Sequence, residues 1–263
     1  MGLKSEIEDK GFSVVKLPNK SIIYDLKEII EKEANKLLAL NDTDEYHTNL
    51  IELQTKINLM GTRDKLIKEL KEELIDFHGS DILGAQTIVY LRGVRPTSKY
   101  SAIKHEALPM HRENFYCDDE YINHQLNMHF PLFNYNEKTC MRYYSNSHKI
   151  PDENLDLQKK DAKYSGVERF SKGHKLGLPY NPKIIQNLIS MKDHLPAPCK
   201  EGDAFLFSSK LIHGGGDNLS EEIRFSLDFA TLPKKWLPNI KKEHFASYSK
   251  SSSHFLELSI NNI

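Results

Sequence analysis

"GDAFLFSSKLIHGGGDNLSEEIRFSLDFATL", from Gly202 to Leu232, contains two strand-like runs joined by a glycine-rich turn. The first run is apolar and aromatic. The second alternates, with Arg224, Ser226 and Asp228 on one face and Phe225, Leu227 and Phe229 on the other. An aromatic face meets a packed layer, so the polar face points into the interior of a sandwich or barrel. A guanidinium buried there needs an anion or a dense set of acceptors. His213 ends the first run and enters Gly214-Gly215-Gly216, where backbone freedom permits close approach of a metal or substrate.

Outward from this stretch, "GFSVVKL", "DILGAQTIVYLRGV", "YINHQLNMHFPLFNY" and "TCMRYYSNSH" are also short, aromatic and β-branched, and are separated by Gly, Pro, Asn and Asp. Two segments have helical periodicity instead. "SIIYDLKEIIEKEANKLLAL" places Ile22, Ile23, Leu26, Ile29, Ile30, Leu37 and Leu38 along one side, and "TRDKLIKELKEELIDF" does the same with Leu66, Ile67, Leu70 and Leu74. Both predict amphipathic helices that pack on a sheet. Helices first and strands afterwards argue for an α+β, mainly β architecture, a helix-backed sandwich or jelly roll. They argue against a doubly wound parallel sheet, in which strand and helix alternate. The chain is expected to form a single domain over residues 1–263, with 12–80 as helical support and 81–232 as the core. A long polar connection over 151–195 interrupts the core, and 233–263 is a C-terminal extension.

Lys and Arg number 36 against 37 Asp and Glu, a net charge of −1, so no global field draws the chain to nucleic acid or an anionic membrane. Cys117, Cys140 and Cys199 are too far apart and too few for a disulfide framework or a CxxC site, which suits a reducing cytoplasm. "MGLKSEIEDKGF" has no apolar signal core, and no run reaches the roughly 18 apolar residues of a membrane helix. The expectation is a cytoplasmic protein acting on a small molecule, without nucleic-acid or membrane partners and with its oligomeric state left open.

Among 12 His and 37 acids in 263 residues about two His-x-Asp/Glu triplets are expected by chance, and the chain has one, His111-Arg112-Glu113. On a strand, residues two apart share a face, so His111 and Glu113 can offer a nitrogen and a carboxylate oxygen to one ion. With His213 as third member they make the two-histidine, one-carboxylate facial triad of non-haem Fe(II) oxygenases. Two histidines and a glutamate also suit catalytic zinc in a hydrolase. Arg224 discriminates between the two, since it can grip one carboxylate of a dicarboxylate bidentately while Ser226 donates to it, and hydrolysis needs no such anchor. A non-catalytic jelly-roll binding or sensor protein is the remaining alternative.

The order "HRE" (His111 to Glu113), "FPLFNYNEKTCMRYYSNSHK" (Phe130 to Lys149) and "GDAFLFSSKLIHGGGDNLSEEIRFSLDF" (Gly202 to Phe229) resembles the phytanoyl-CoA dioxygenase family of Fe(II)/2-oxoglutarate oxygenases. The resemblance spans roughly Phe12 to Phe229, and its most specific part is His213 followed by Arg224-x-Ser226. It implies a double-stranded β-helix of the cupin-like kind, with iron on His111, Glu113 and His213 and the far carboxylate of 2-oxoglutarate on Arg224 and Ser226. O2 then cleaves the cosubstrate to succinate and CO2 while the substrate is hydroxylated. Most members carry aspartate where this chain has Glu113, and Asn146 replaces the glycine of the family's Gly-Ser-His turn. The alternation of "INHQLNMHF" places Gln125 and Asn127 on one polar face, where either could bond the 1-carboxylate. Gln86, Tyr90, Arg112, Asn114, Arg142 and Tyr144, on or beside the strands framing the mouth, are candidate substrate contacts. Their polarity suggests a sugar, aminocyclitol or amino-acid intermediate.

Overall fold

The computed structural model describes residues 2–100, 110–113, 120–155, 157–159, 171–177, 183–185, 194–239 and 255–263. Asn114 and Cys117 lie outside the described residues, as does most of the 151–195 connection. In chain order the elements are α1 (Leu3–Lys10), β1 (Phe12–Lys16), α2 (Ser21–Leu38), α3 (Thr43–Leu59), α4 (Thr62–Glu69), α5 (Lys71–His78), β2 (Ile82–Gln86) and β3 (Tyr90–Val94). There follow α6 (Thr97–Tyr100), β4 (Leu126–Phe133), β5 (Arg142–Tyr143), β6 (Leu157–Lys159), α7 (Lys172–Lys175), β7 (Lys183–Ile185) and β8 (Leu195–Pro196). β9 (Asp203–Ser208), β10 (His213–Gly214), β11 (Arg224–Pro233) and β12 (Phe255–Ser259) complete the described set.

A seven-stranded antiparallel sheet runs β1-β9-β4-β11-β2-β12, with β3 also paired to β11, and faces a smaller sheet, β10-β5-β8. This is the jelly roll expected, with helices behind its larger sheet. The strict alternation of β4 and β11 divides the side chains between two cores. Met128, Phe130, Phe225, Leu227 and Phe229 bury outward against Ile23, Leu26 and Ile30 of α2 and Leu50, Leu53 and Ile57 of α3. Phe205, Phe207, Tyr135, Met141, Tyr143 and Leu211 fill the space between the sheets.

Among the described residues four helices, α1, α3 and the single-turn α6 and α7, go beyond those expected from periodicity. α3 buries Tyr46, Leu50, Leu53 and Ile57 and is started by Asp42, whose side chain accepts from the Glu45 amide at 2.7 Å. The expected helix over 62–77 is broken into α4 and α5 at Leu70, which leaves the helical region at φ −105°, ψ 18°. In the C-terminal extension, β12 adds a strand to the larger sheet alongside β2. The glycines after His213 do not adopt positive φ. Gly216 instead lies so close to the Cys140 carbonyl that a Cβ there would collide with it. Among the described residues no helix is long and apolar enough to cross a membrane.

Candidate metal centre and cosubstrate pocket

The segment carrying His111 and Glu113 runs antiparallel to β10. His111 and His213 exchange both backbone hydrogen bonds, at 2.8 and 3.0 Å, and the Glu113 amide donates to the Ser209 carbonyl at 3.0 Å. Directly opposite residues share a face, so the two imidazoles stand side by side with ring centroids 4.4 Å apart. Glu113, two positions on, points the same way. Its Oε1 lies 3.2 Å from His213 Nε2 and 3.5 Å from His111 Nε2, and the three candidate ligand atoms fall within 4.8 Å of one another.

His213 Nδ1 is 2.9 Å from the Leu211 carbonyl oxygen. A carbonyl only accepts, so Nδ1 carries the proton and Nε2 presents its lone pair to the cluster. Glu113 is a carboxylate near neutral pH. An ionised carboxylate oxygen thus faces an imidazole lone pair whose proton is committed elsewhere. A divalent cation resolves that opposition, and this donor set suits Fe(II).

Arg224 and Ser226 lie on the inward face of β11, as the alternation implies. Arg224 is 3% exposed. Its Nε and the Ser226 hydroxyl are both buried without a hydrogen-bond partner among the described residues. Burial pushes the guanidinium pKa down. Asp228, on the same face, does not pair with Arg224: it accepts from Arg92 Nε at 2.8 Å and bonds His129 Nδ1 at 2.6 Å. His129 Nε2 in turn meets the Tyr135 hydroxyl at 3.0 Å. Burial raises the Asp228 pKa, but His129 and Arg92 outweigh it and hold it well below the carboxylate range.

Gln125 and Asn127 are buried, and Gln125 Nε2 donates to Asn127 Oδ1 at 2.8 Å. The Asn127 Nδ2 donor is buried with no partner among the described residues, beside Phe207 in the β4–β9 register. Phe207 packs edge-on against the His213 ring with centroids 4.5 Å apart. Asn127 is therefore near the ligand cluster.

The candidate substrate contacts divide. Tyr90 and Arg92 share a face of β3, with the Arg92 guanidinium 5.6 Å from the Tyr90 ring centre. Gln86 spends its Oε1 on the Ala230 amide at 2.9 Å. Arg112 has a correction to make: strand alternation sends it to the side opposite His111 and Glu113, where it is fully buried and donates to the carbonyls of Ser147 and Ile150 at 2.6 and 2.7 Å and to Asp152. Arg142 and Tyr144 flank Tyr143, whose ring belongs to the inner core, and so face outward. Arg142 donates to the Glu137 carbonyl at 2.7 Å, and Tyr144 packs with Leu155 and Ile212. Periodicity of two could have signalled all three. Arg92, His129, Asp228 and Tyr135 form a polar network that was not assigned a role from sequence. Arg92 is legible in "YLRGV" as the inward neighbour of Tyr90.

A jelly roll with a His-Glu-His cluster at its smaller sheet and a buried inward guanidinium on its larger one defines a non-haem iron, 2-oxoglutarate-type oxygenase scaffold. The chain belongs to the phytanoyl-CoA dioxygenase (PhyH) family, whose model matches residues 41–226. Its cofactor set is Fe(II), 2-oxoglutarate and O2, with which the cluster is consistent. No curated protein sequence matches the chain. Among solved structures it is similar to the apo form of the non-heme monooxygenase ThoJ, with TM-score 0.53 and 13% identity over 88% of this chain and 77% of that one. The epimerase SnoN from nogalamycin biosynthesis, in complex with Fe3+, alpha ketoglutarate and nogalamycin RO, gives TM-score 0.52 and 14% identity over 88% and 82%. The alpha ketoglutarate dependent carbocyclase SnoK gives 0.52 and 12% over 97% and 95%. At these identities the likeness is one of fold.

Proposed function

We propose that the protein is an Fe(II)/2-oxoglutarate-dependent hydroxylase of a small polar metabolite, a sugar, aminocyclitol or amino-acid intermediate, acting in the cytoplasm as a single domain. His111, Glu113 and His213 would hold the iron. Arg224 and Ser226 would take the far carboxylate of 2-oxoglutarate, and Asn127, oriented by Gln125, would donate to its 1-carboxylate. Iron with these cosubstrates supplies the oxidation that couples decarboxylation of 2-oxoglutarate to insertion of one oxygen atom into a C–H bond. The residues bind and orient: Arg224 neutralises one carboxylate in a site where water is excluded, and the Leu211 carbonyl keeps His213 in the tautomer that binds metal.

One observation carries the reading. A buried arginine whose Nε has no partner among the described residues sits beside a serine whose hydroxyl has none among them either, in the same interior as the His-Glu-His cluster. A zinc hydrolase has no use for that pair. The inward polar residues Tyr90, Arg92, Gln125 and Asn127 favour a polar substrate over a fatty acyl chain. Cys140 and Cys199, both buried free thiols, suit a reducing compartment.

The test is an anaerobic titration of metal-free protein with Fe(II) and 2-oxoglutarate, following the visible metal-to-ligand charge-transfer band. The band is expected in the wild type, absent in His213→Ala and shifted to far higher 2-oxoglutarate in Arg224→Ala. No band from well-folded wild type overturns the reading. A substrate screen scored by succinate then follows product mass: one oxygen gained for hydroxylation, two hydrogens lost for ring closure, unchanged for epimerisation.

A further inference from the structure

The segment that bears His111 and Glu113 is held to its neighbours by few backbone bonds among the described residues, yet three ligand atoms must meet to within a few tenths of an ångström. Arg112, between the two ligands, points away from them and cannot reach the substrate side. Its guanidinium ends in the turn that follows β5. There it donates to the Ser147 and Ile150 carbonyls and pairs with Asp152, whose side chain is 48% exposed. The turn is shaped by Asn146 at φ 58° and by the Ile150 amide donating to the Ser147 carbonyl at 3.1 Å.

Ser147 is also tied to the other ligand-bearing strand. Its hydroxyl accepts from the amide of Ile212, the residue before His213, at 2.8 Å and donates to the Tyr144 carbonyl at 2.8 Å. One buried serine thus bonds the immediate neighbours of all three candidate ligands, through its carbonyl on one side and its hydroxyl on the other. The turn is anchored in turn to α1, where His148 Nε2 donates to the Glu8 carbonyl at 3.1 Å and Lys149 approaches Asp9 at 3.4 Å. We infer that Ser147 and Arg112 are positioning residues that brace the two halves of the ligand set against one turn. This rests on the proposed reading of His111, Glu113 and His213 as ligands.

The test is a Co(II) titration of metal-free wild type, Ser147→Ala, Arg112→Lys and Asp152→Ala, read by the visible Co(II) absorption bands, with unfolding of each metal-free form as a control. Outer bonds that orient ligands are worth about 10- to 100-fold in metal affinity. Ser147→Ala and Arg112→Lys are therefore each expected to weaken Co(II) binding by about 10-fold or more and to alter the band pattern, which a loss of stability alone would not do. Asp152→Ala leaves the two carbonyl bonds in place and is expected to fold and to show a smaller loss of the same sign. It decides the matter if Arg112→Lys does not fold. Its combination with Ser147→Ala should lose less than the product of the single effects, because both act through one turn. Wild-type affinity and an unchanged spectrum in the folded variants would overturn the brace and leave the ligand reading intact. A wild type that gives no Co(II) spectrum would overturn the ligand reading and the brace with it.

Discussion

Asp228 and Arg224 lie on the same face of one strand and do not pair, because Asp228 is taken by Arg92 and His129 from the strands on either side. The acid nearest along the strand is thereby neutralised, and Arg224 keeps its charge for a ligand. In the ligand-free protein that charge is a burden, and exchanging a buried charged group for an apolar one of similar volume often stabilises by on the order of 1 kcal/mol or more. Arg224→Met is therefore expected to unfold at higher denaturant than the wild type in the absence of 2-oxoglutarate. It should also bind 2-oxoglutarate about 10- to 100-fold more weakly, the worth of a charge-assisted bond. Chemical denaturation with and without the cosubstrate measures both halves.

Asp228→Asn has the opposite consequence. Removing the carboxylate leaves Arg92 without its counter-charge and His129 without its carboxylate partner in a mostly buried site, at a cost of about 2 kcal/mol or more. The folded-state pKa of Asp228 lies below its unfolded value. Its contribution is therefore complete above the unfolded carboxylate pKa of about 4 and is lost as pH falls below that value. The stability gap between wild type and Asp228→Asn should be constant from neutral pH down to about 5 and close below about 4. A gap that persists unchanged at pH 3 would contradict the pairing.

How much of this was legible in the sequence follows from which features are local. The inward set Arg224, Ser226 and Asp228 could be read because one aromatic and one polar face allow a strand only one way to sit. His111 and Glu113 could be read as face-mates for the same reason, but the juxtaposition of His111 with His213 depends on a long-range register. So do the partners of Asp228, which lie 136 and 99 residues away in sequence. Arg112, Arg142 and Tyr144 were within reach: each is one residue from an inward side chain, and alternation sends it outward. The helix α3 shows the spacing of Tyr46, Leu50, Leu53 and Ile57, but Thr, Asn and His between them blur the polar face.

Metal should act as a stabilising ligand. A cation that binds the folded chain alone at a hundred times its dissociation constant raises stability by about 2.7 kcal/mol. Adding Fe(II) under nitrogen, or Co(II) in air, is expected to raise the unfolding midpoint of the wild type. Removing the ion with a chelator should reverse the change. His213→Ala and Glu113→Ala should show no response to either ion, and a response equal to the wild type's would place the ion elsewhere.

His78, at the end of α5, supplies a pH dependence unrelated to the metal. Its Nε2 lies 2.8 Å from the Thr231 hydroxyl on β11, and burial lowers its pKa to about 4. The unfolded chain binds this proton near pH 6.5 and the folded one only near 4, so the unfolded state holds more protons between those values and stability rises with pH across them. The contribution is whole above about 6.5 and is lost on acidification, by about 3 kcal/mol in total at the lower end. His78→Gln keeps a group able to bond Thr231 and has no proton to take up. Its stability should fall less steeply than that of the wild type between pH 6.5 and 4, as followed by urea unfolding at a series of pH values, and parallel curves would show that the His78 ring is not buried in its neutral form.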